Sequence, residues 1–284
     1  MKTVKVGGVP EHFNLPWHLC IDDGTFDKEG VNVVWRDFPD GTGAMTMALR
    51  RKEIDAAVIL TEGIVKDILY GNRVKIVQEY IASPLIWGIH VAAGSSFRNL
   101  EDLRHQKVAI SRLGSGSHLM AYVNARNLGW DPHELEFEIV GDIDGAVAAL
   151  KSGKAGYFMW EHFTTKPLVD NGIFRRLGDC PTPWSCFVIA VREEFLEQES
   201  AAVQNMLKTL NGVTRRFKSI PGIQSALAKK YSQEPEDIKQ WLEITSWSQK
   251  QISVTELEKV QDQLLELGLI KEKRENAVFL NNEL

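Results

Sequence analysis

Short apolar runs alternate with segments of helical periodicity along the first part of this 284-residue chain. Apolar residues at positions 56–60 stand without interruption, as in a strand that is covered on both faces. The spacing of apolar and polar residues predicts the other elements, with strands at 3–9, 31–36 and 74–80 and helices at 15–22, 44–51 and 64–70. This alternation predicts an α/β fold in which mostly parallel sheets are flanked by helices.

A second alternation of strands and helices runs from about residue 108 to 160, and the chain is almost wholly helical after Glu193. Extended segments at 87–93 and 186–191 separate these regions, and we interpret them as two crossings between lobes. The predicted organisation is therefore a discontinuous first lobe, residues 1–89 and 189–284, and an inserted second lobe, residues 90–188.

Two turns made of small residues each connect a predicted strand to a predicted helix. One is the stretch from Ser111 to His118, and the other is Asp40-Gly41-Thr42-Gly43. The unpaired N–H groups and the dipole at a helix start suit a negative or strongly polar group. A single turn of this kind is often only a capped connector, but two of them favour a ligand crevice with N–H donors on both walls.

Loops after the other strands add aromatic rings, which could stack on a planar ligand, and two carboxylates, which could accept hydrogen bonds from an amino group. For each residue type the alternative is structural: core packing for the rings, helix capping for the carboxylates, and satisfied hydrogen bonds for the histidines. We expect no catalytic and no metal-binding residues. The candidate ligand-binding residues are Phe13, Asn14, Trp17, Gly41, Thr42, Gly43, Thr61, Glu62, Ser83, Leu113, Gly114, Ser115, Gly116, Ser117, His118, Trp160, Glu161, His162 and Trp184.

Composition excludes several classes of partner. The net charge of -5 provides no basic surface for nucleic acid, and no apolar run approaches the length of about 20 residues that a membrane helix needs. The three cysteines have no metal-ligand spacing, which favours reduced thiols. The N-terminus shows no secretion signal, so we expect a soluble cytoplasmic protein, or a periplasmic or extracellular one if a leader was trimmed.

Four segments in order along the chain resemble type II periplasmic solute-binding proteins, in the branch that contains sulfonate, taurine and thiamine-pyrimidine binders. Residues 23–33 are similar to the family pattern G-x-F-x-K-E-G-L-x-V, and residues 47–56 to A-L-x-x-G-E-I-D-A. The family pattern S-L-x-D-L-K-G-K-K-V-A is similar to residues 99–109, and the pattern A-L-x-S-G-x-x-D-A, followed by E-P, is similar to the segment from 148 to Glu161. The chain departs from the patterns at Lys52, Gly156 and His162. The closest resemblance is to a bacterial and fungal subgroup, some of whose members lack a secretion leader.

This resemblance implies a two-lobed protein that closes by a hinge around a small polar solute, either anionic or a planar amino-substituted ring. It would serve an ABC-type transporter or bind a metabolite, with no cofactor and as a monomer. The alternative is a cytosolic enzyme on the same fold, of the thiamine-pyrimidine or menaquinone-pathway type. The cysteine-rich iron-binding run of the former is absent, and no Ser-His-Asp order stands out. We therefore expect a binder rather than an enzyme.

Overall fold

The structure, a computed structural model, describes residues 1–281. Ten strands belong to two five-stranded sheets. In chain order they are β1 (Lys2–Gly8), β2 (Val31–Asp37), β3 (Ala56–Leu60), β4 (Val74–Ile81), β5 (Ile86–Ala92), β6 (Val108–Ile110), β7 (Phe137–Ile139), β8 (Tyr157–Glu161), β9 (Phe174–Pro181) and β10 (Phe187–Arg192).

Helices connect most of these strands and make up most of the C-terminal region. They are α1 (Leu15–Asp22), α2 (Thr25–Lys28), α3 (Thr42–Arg50), α4 (Thr61–Leu69), α5 (Gly116–Asn127), α6 (Ile143–Lys151), α7 (Lys166–Asp170), α8 (Glu193–Thr214), α9 (Ile223–Tyr231), α10 (Pro235–Ile244) and α11 (Val254–Glu266). Short 3₁₀-helical turns lie at His12–Asn14, Glu101–Leu103, Pro132–Glu134, Phe217–Ser219 and Asn276–Val278.

The chain divides into two compact units. Unit 1 comprises Met1–Pro84 and Trp184–Leu284, and unit 2 comprises Leu85–Pro183. The predicted boundaries, 89/90 and 188/189, fall inside β5 and β10, whereas the structure assigns each of these strands whole to one unit. The predicted α/β class, with two lobes of mostly parallel sheet, is confirmed.

The two sheets have equivalent strand orders. Sheet 1 has the order β2-β1-β3-β10-β4, and sheet 2 has the order β7-β6-β8-β5-β9. In each sheet the crossing strand, β10 or β5, is antiparallel to both of its neighbours, while the other pairings are parallel. Each sheet thus has one edge at which four strands end and the crossing strand begins, which we call the carboxyl edge.

Several predicted boundaries were correct and others were wrong. Helix α1 spans the predicted residues 15–22, but α4 begins at Thr61, because Thr61, Glu62 and Gly63 form its first turn rather than a loop. Helix α5 begins at Gly116 rather than at the predicted Leu119. Strand β9 was not predicted, because its alternation is weakened by two arginines, a glycine and an aspartate.

Irregular C-terminal segments cover the outer edge of β4, which would otherwise expose unpaired backbone groups. The N–H of Ile76 donates to the Phe279 carbonyl at 2.7 Å, and the N–H of Glu79 donates to the Lys250 carbonyl at 2.9 Å. The C-terminal part of unit 1 therefore seals a sheet edge as well as packing as helices.

Helix α3 ends in a Schellman motif with a lysine at the left-handed position. The N–H of Lys52 donates to the Leu49 carbonyl and the N–H of Glu53 to the Ala48 carbonyl, at 3.1 and 2.9 Å. Lys52 has φ of 60°, a conformation that costs a side chain about 1 kcal/mol relative to glycine. Its exposed ion pair with Glu194, at 2.5 Å, offsets little of that cost.

We expect Lys52→Gly to raise the free energy of unfolding by about 0.5–1 kcal/mol, since the glycine removes the left-handed strain. Urea denaturation at high ionic strength, where the ion pair is screened, measures this change. Lys52→Ala is the control, because it deletes the ion pair and keeps the strain. Equal stability of the two variants would contradict the assignment of strain to this position.

Candidate functional site

The carboxyl edge of sheet 1 collects most of the candidate residues of unit 1. The 3₁₀ turn His12–Asn14 follows β1, the turn at Gly41 follows β2, Glu62 follows β3, and Trp184 precedes the antiparallel β10. In α/β sheets, ligands bind beyond the carboxyl ends of the strands. This edge is therefore the candidate site of unit 1.

Helix α3 begins in a conformation that only glycine adopts readily. Gly41 has φ of 71° and ψ of -154°, and its carbonyl accepts from the N–H groups of Ala44 and Met45. The N–H groups of Thr42 and Gly43, in the first turn, have no intrahelical acceptor. The helix start thus presents two donors at the carboxyl edge, as the sequence predicted.

The start of α4 packs directly on the start of α3. A Cβ atom at Gly63 would lie 2.3 Å from Cγ2 of Thr42, so only glycine allows this approach. The hydroxyl of Thr61 is buried and donates to the Ser185 carbonyl at 2.6 Å. These contacts bring two helix starts and the beginning of β10 together.

Glu62 is the buried carboxylate of this edge, with 2% of its surface exposed. The indole N–H of Trp184 donates to its Oε2 at 2.8 Å, while its Oε1 has no hydrogen-bond partner among residues 1–281. Burial raises the pKa of Glu62 to about 7, against the opposing effects of its own backbone N–H, Trp184 and Lys66. Near neutral pH this group can therefore either accept a hydrogen bond or hold a proton.

Phe13 and Asn14 lie beside this carboxylate-bearing edge, on the turn after β1. The Phe13 ring lies 5.2 Å from the Phe187 ring, and its carbonyl accepts from the Tyr80 hydroxyl at 2.8 Å. The Asn14 amide donates to the Val9 carbonyl at 2.8 Å, and its Oδ1 is buried without a partner in the described part of the chain. Asn14 thus adds a second open acceptor to the edge.

Trp17 and Ser83 each make contacts with other residues of unit 1. Trp17 is fully buried on α1, with the rings of Phe26 and Trp35 at 5.9 and 5.7 Å. Ser83 accepts from the N–H of Ser246 at 3.1 Å and holds a C-terminal segment against the end of β4. For Trp17 the contacts match the alternative of core packing that the sequence left open.

In unit 2 the stretch from Ser111 to His118 forms a turn that is held by hydrogen bonds between its own residues. The Ser117 hydroxyl accepts from the N–H of Ser111 at 3.0 Å and lies 3.1 Å from the Ser115 hydroxyl. Ser115 caps α5 by accepting from the N–H of His118 at 3.3 Å. The N–H groups of Gly116 and Ser117 have no intrahelical acceptor.

The side chains of this turn differ in exposure. Leu113 is 65% exposed, whereas His118 is 8% exposed and packs edge-on against Tyr122 and Phe137. His118 Nδ1 accepts from the N–H of Gly114 at 2.9 Å, which places the proton of a neutral ring on Nε2. The hydroxyls of Ser115 and Ser117 and one nitrogen of His118 thus shape the turn, and its backbone N–H groups are the ligand-binding candidates.

The predicted group from Trp160 to His162 lies at the end of β8 in unit 2, with three different roles. Trp160 stacks on Phe158, 5.3 Å away, and packs against an apolar cluster that includes residues of α6. Oε2 of Glu161 accepts from the N–H of Thr164 at 2.6 Å, so this carboxylate caps the following turn. His162 Nδ1 lies 2.8 Å from Oδ1 of Asp179.

Sequence reasoning missed three residues that support the edge of sheet 1 without being ligand-binding candidates themselves, His12, Ser185 and Glu256. His12 is buried beside the Trp241 ring, 4.3 Å away, and burial lowers its pKa to about 3, so it is neutral. The N–H of Ser185 donates to Oε1 of Glu256 at 2.7 Å. His12 could have been inferred from its neighbour Phe13, but no local pattern indicates the pairing with Glu256, which is 71 residues away.

Residues 1–281 also lack the features of several other kinds of site. No group of three or more His, Cys, Asp or Glu side chains there could hold a metal ion. Each of the three cysteines is buried, and none forms a disulfide within the same residues. No described helix has the length and apolar character that a membrane crossing requires.

We expect Glu62 to make stability depend on pH. Its pKa is higher in the folded state than the ordinary 4.5, so the stability it contributes is full below pH 4.5 and is lost as pH rises to about 7. The loss is about 3 kcal/mol for a group this deeply buried. Glu62→Gln lacks this titration and keeps an acceptor for Trp184.

Urea unfolding of both proteins from pH 4.5 to 8 measures the effect. The free energy of unfolding of the native protein should fall relative to that of Glu62→Gln as pH rises. Parallel pH profiles for the two proteins would show that the folded environment does not raise the pKa of this carboxyl.

Comparisons with known proteins identify the fold. Residues 87–180 match the family model described as Ca3427-like PBP, a match that lies within unit 2. No curated protein matches the sequence significantly. The structure resembles the CA3427 gene product of Candida albicans, which exhibits the generic periplasmic binding protein fold, with a TM-score of 0.88 and 24% identity over 98% of this chain and 94% of that one.

Two structures that contain a bound small molecule also match. The alkanesulfonate-binding protein SsuA from Xanthomonas axonopodis pv. citri, bound to MOPS, has a TM-score of 0.79 and 17% identity, covering 95% of this chain and 94% of that one. PhnD1 from Prochlorococcus marinus, in complex with methylphosphonate, has a TM-score of 0.63 and 13% identity, covering 94% and 99%. The chain therefore has the periplasmic-binding-protein fold, and residues 87–180, within its second unit, match the Ca3427-like family model.

Proposed function

We propose that this chain binds a small polar solute at the carboxyl edges of its sheets and releases it chemically unchanged. In this proposal it acts as the substrate-binding component of an ABC-type transporter or as a related metabolite-binding protein. Its structural neighbours include proteins named for binding alkanesulfonate, nitrate and methylphosphonate. The likeness to them supports the binding role.

One observation carries the proposal: each unit has a helix whose first N–H groups have no intrahelical acceptor and which follows a strand at the carboxyl edge. Helix α3 has this arrangement in unit 1 and α5 in unit 2. Such groups gain hydrogen bonds from a polar solute without further distortion of the backbone. The predicted facing of Gly43 and Ser117, which belong to different units, and the predicted hinge closure stay predictions.

Native mass spectrometry of the protein purified from its own cells tests the proposal directly. We expect a small molecule of one defined mass to remain bound, because contacts from several helix starts accumulate to a stable complex. After incubation with fresh protein, the released molecule should have the same mass and fragmentation pattern. A chemically altered molecule would instead support the enzyme on the same fold.

A pair of substitutions at the start of α3 tests the N–H donors. Thr42→Pro removes one N–H at the first helical position, where proline is well tolerated. We expect it to weaken solute binding about tenfold, the value of one hydrogen bond to a polar or charged group. Isothermal titration with the molecule identified by mass spectrometry measures this loss.

Thr42→Val is the matched control, since it removes the hydroxyl but keeps the N–H and the branched shape that packs on Gly63. Its affinity should stay close to that of the native protein. If the proline variant folds and binds as tightly as the valine variant, the N–H of Thr42 has no part in the site.

A further inference from the structure

The chemistry of the solute can be inferred from a buried side chain whose hydrogen bonds are incomplete. Glu62 is 2% exposed, yet its Oε1 has no hydrogen-bond partner within residues 1–281. A buried polar atom without a hydrogen-bond partner destabilises the folded protein, and a charged one does so more strongly. A ligand that supplies a donor to this oxygen would recover that free energy on binding.

The protein itself provides little to balance the charge of this carboxyl. Trp184 donates a neutral N–H to Oε2, at 2.8 Å, and so leaves the charge in place. Lys66, one turn further along α4, lowers the pKa of Glu62 less than the backbone N–H of Glu62 and the Trp184 indole do. The raised pKa of about 7 has the same origin, because burial opposes ionisation more than these contacts favour it.

A second buried acceptor at the same edge also lacks a hydrogen-bond partner within residues 1–281. Oδ1 of Asn14 is buried and unpartnered in the described chain, and the hydrogen bond from its amide to Val9 fixes which end of the side chain is the oxygen. The turn that carries Asn14 follows β1, and Glu62 follows β3, the neighbour of β1 in the sheet. Two open oxygen acceptors therefore lie along adjacent strands of one edge.

We propose that the solute presents an N–H donor group, such as an ammonium, an amidinium or the amino group of a heterocycle, to Oε1 of Glu62. This inference rests on the proposed function and names the class of solute for that site. Ionised Glu62 repels a sulfonate or phosphonate at the same position, because it carries charge of the same sign and has no proton to donate. The side chains at this edge thus separate this protein from the oxyanion specificity named for its structural neighbours.

The experiment is a thermal-shift screen followed by titration calorimetry. The panel contains small amines, amidines and amino-heterocycles, each paired with a sulfonate or phosphonate of the same carbon skeleton. We expect stabilisation by members of the donor class and none by their oxyanion partners. Glu62→Gln should weaken the binding of those donors roughly 10- to 100-fold, since it replaces a charged hydrogen bond with a neutral one.

Glu256→Gln is the matched control, because it removes the same charge from a residue that binds Ser185, next to Trp184, but leaves Oε1 of Glu62 unchanged. Its affinity for the donor class should stay within about threefold of the native value. Equal losses in Glu62→Gln and Glu256→Gln would show a general effect of charge and overturn the assignment to Glu62.

The outcomes separate this inference from the proposed function. Stabilisation by oxyanions alone, unchanged or strengthened in Glu62→Gln, overturns the donor class and leaves solute binding intact. Absence of any shift across the panel, together with no retained molecule in native mass spectrometry, overturns the binding function itself. A donor that binds the native protein and Glu62→Gln equally well also overturns the role of Glu62.

Discussion

The crossover connections between parallel strands determine where polar groups lie in this protein. Each parallel strand must be followed by a chain segment that returns over the sheet, so turns and helix starts collect at the carboxyl edge. Unpaired N–H groups and the positive ends of helix dipoles lie there for the same reason. In unit 1 the effect is concentrated, because Gly63 lets the first turn of α4 pack on Thr42 of α3.

The antiparallel crossing strand adds a different kind of residue to this edge. Since β10 runs against its neighbours, its beginning rather than its end lies beside the ends of β3 and β4. Trp184 and Ser185, which precede it, are thereby bonded to Glu62 and Thr61 from more than 120 positions away in the chain. The aromatic and hydrogen-bonding character of the edge depends on this reversal of strand direction.

Two carboxylates with the same sequence context illustrate how packing separates roles. Glu62 and Glu161 each follow or end an apolar strand, and burial raises the pKa of both. Glu161 is satisfied locally by the N–H of Thr164, which is three residues further on. Glu62 lies in the first turn of a helix and its Oε2 accepts from the Trp184 indole, while its Oε1 has no hydrogen-bond partner within residues 1–281. The arrangement at Glu161 stabilises a turn, while the arrangement at Glu62 leaves an oxygen that can accept a hydrogen bond from a ligand.

The sequence by itself determined the fold class and most elements, because hydrophobic periodicity and glycine-rich turns are local properties that act within ten residues or so. It located the two turns that lead into α3 and α5, and it nominated Glu62 because the residue follows an apolar strand and Trp184 because its ring could stack on a planar ligand. Tertiary structure alone decided that Trp17 and Trp160 are packed among other rings and that Glu161 caps a turn. It also decided that Trp184 belongs with Glu62 in unit 1. These outcomes depend on contacts between segments far apart in the chain, and burial and hydrogen bonding at such contacts have no signature in local spacing.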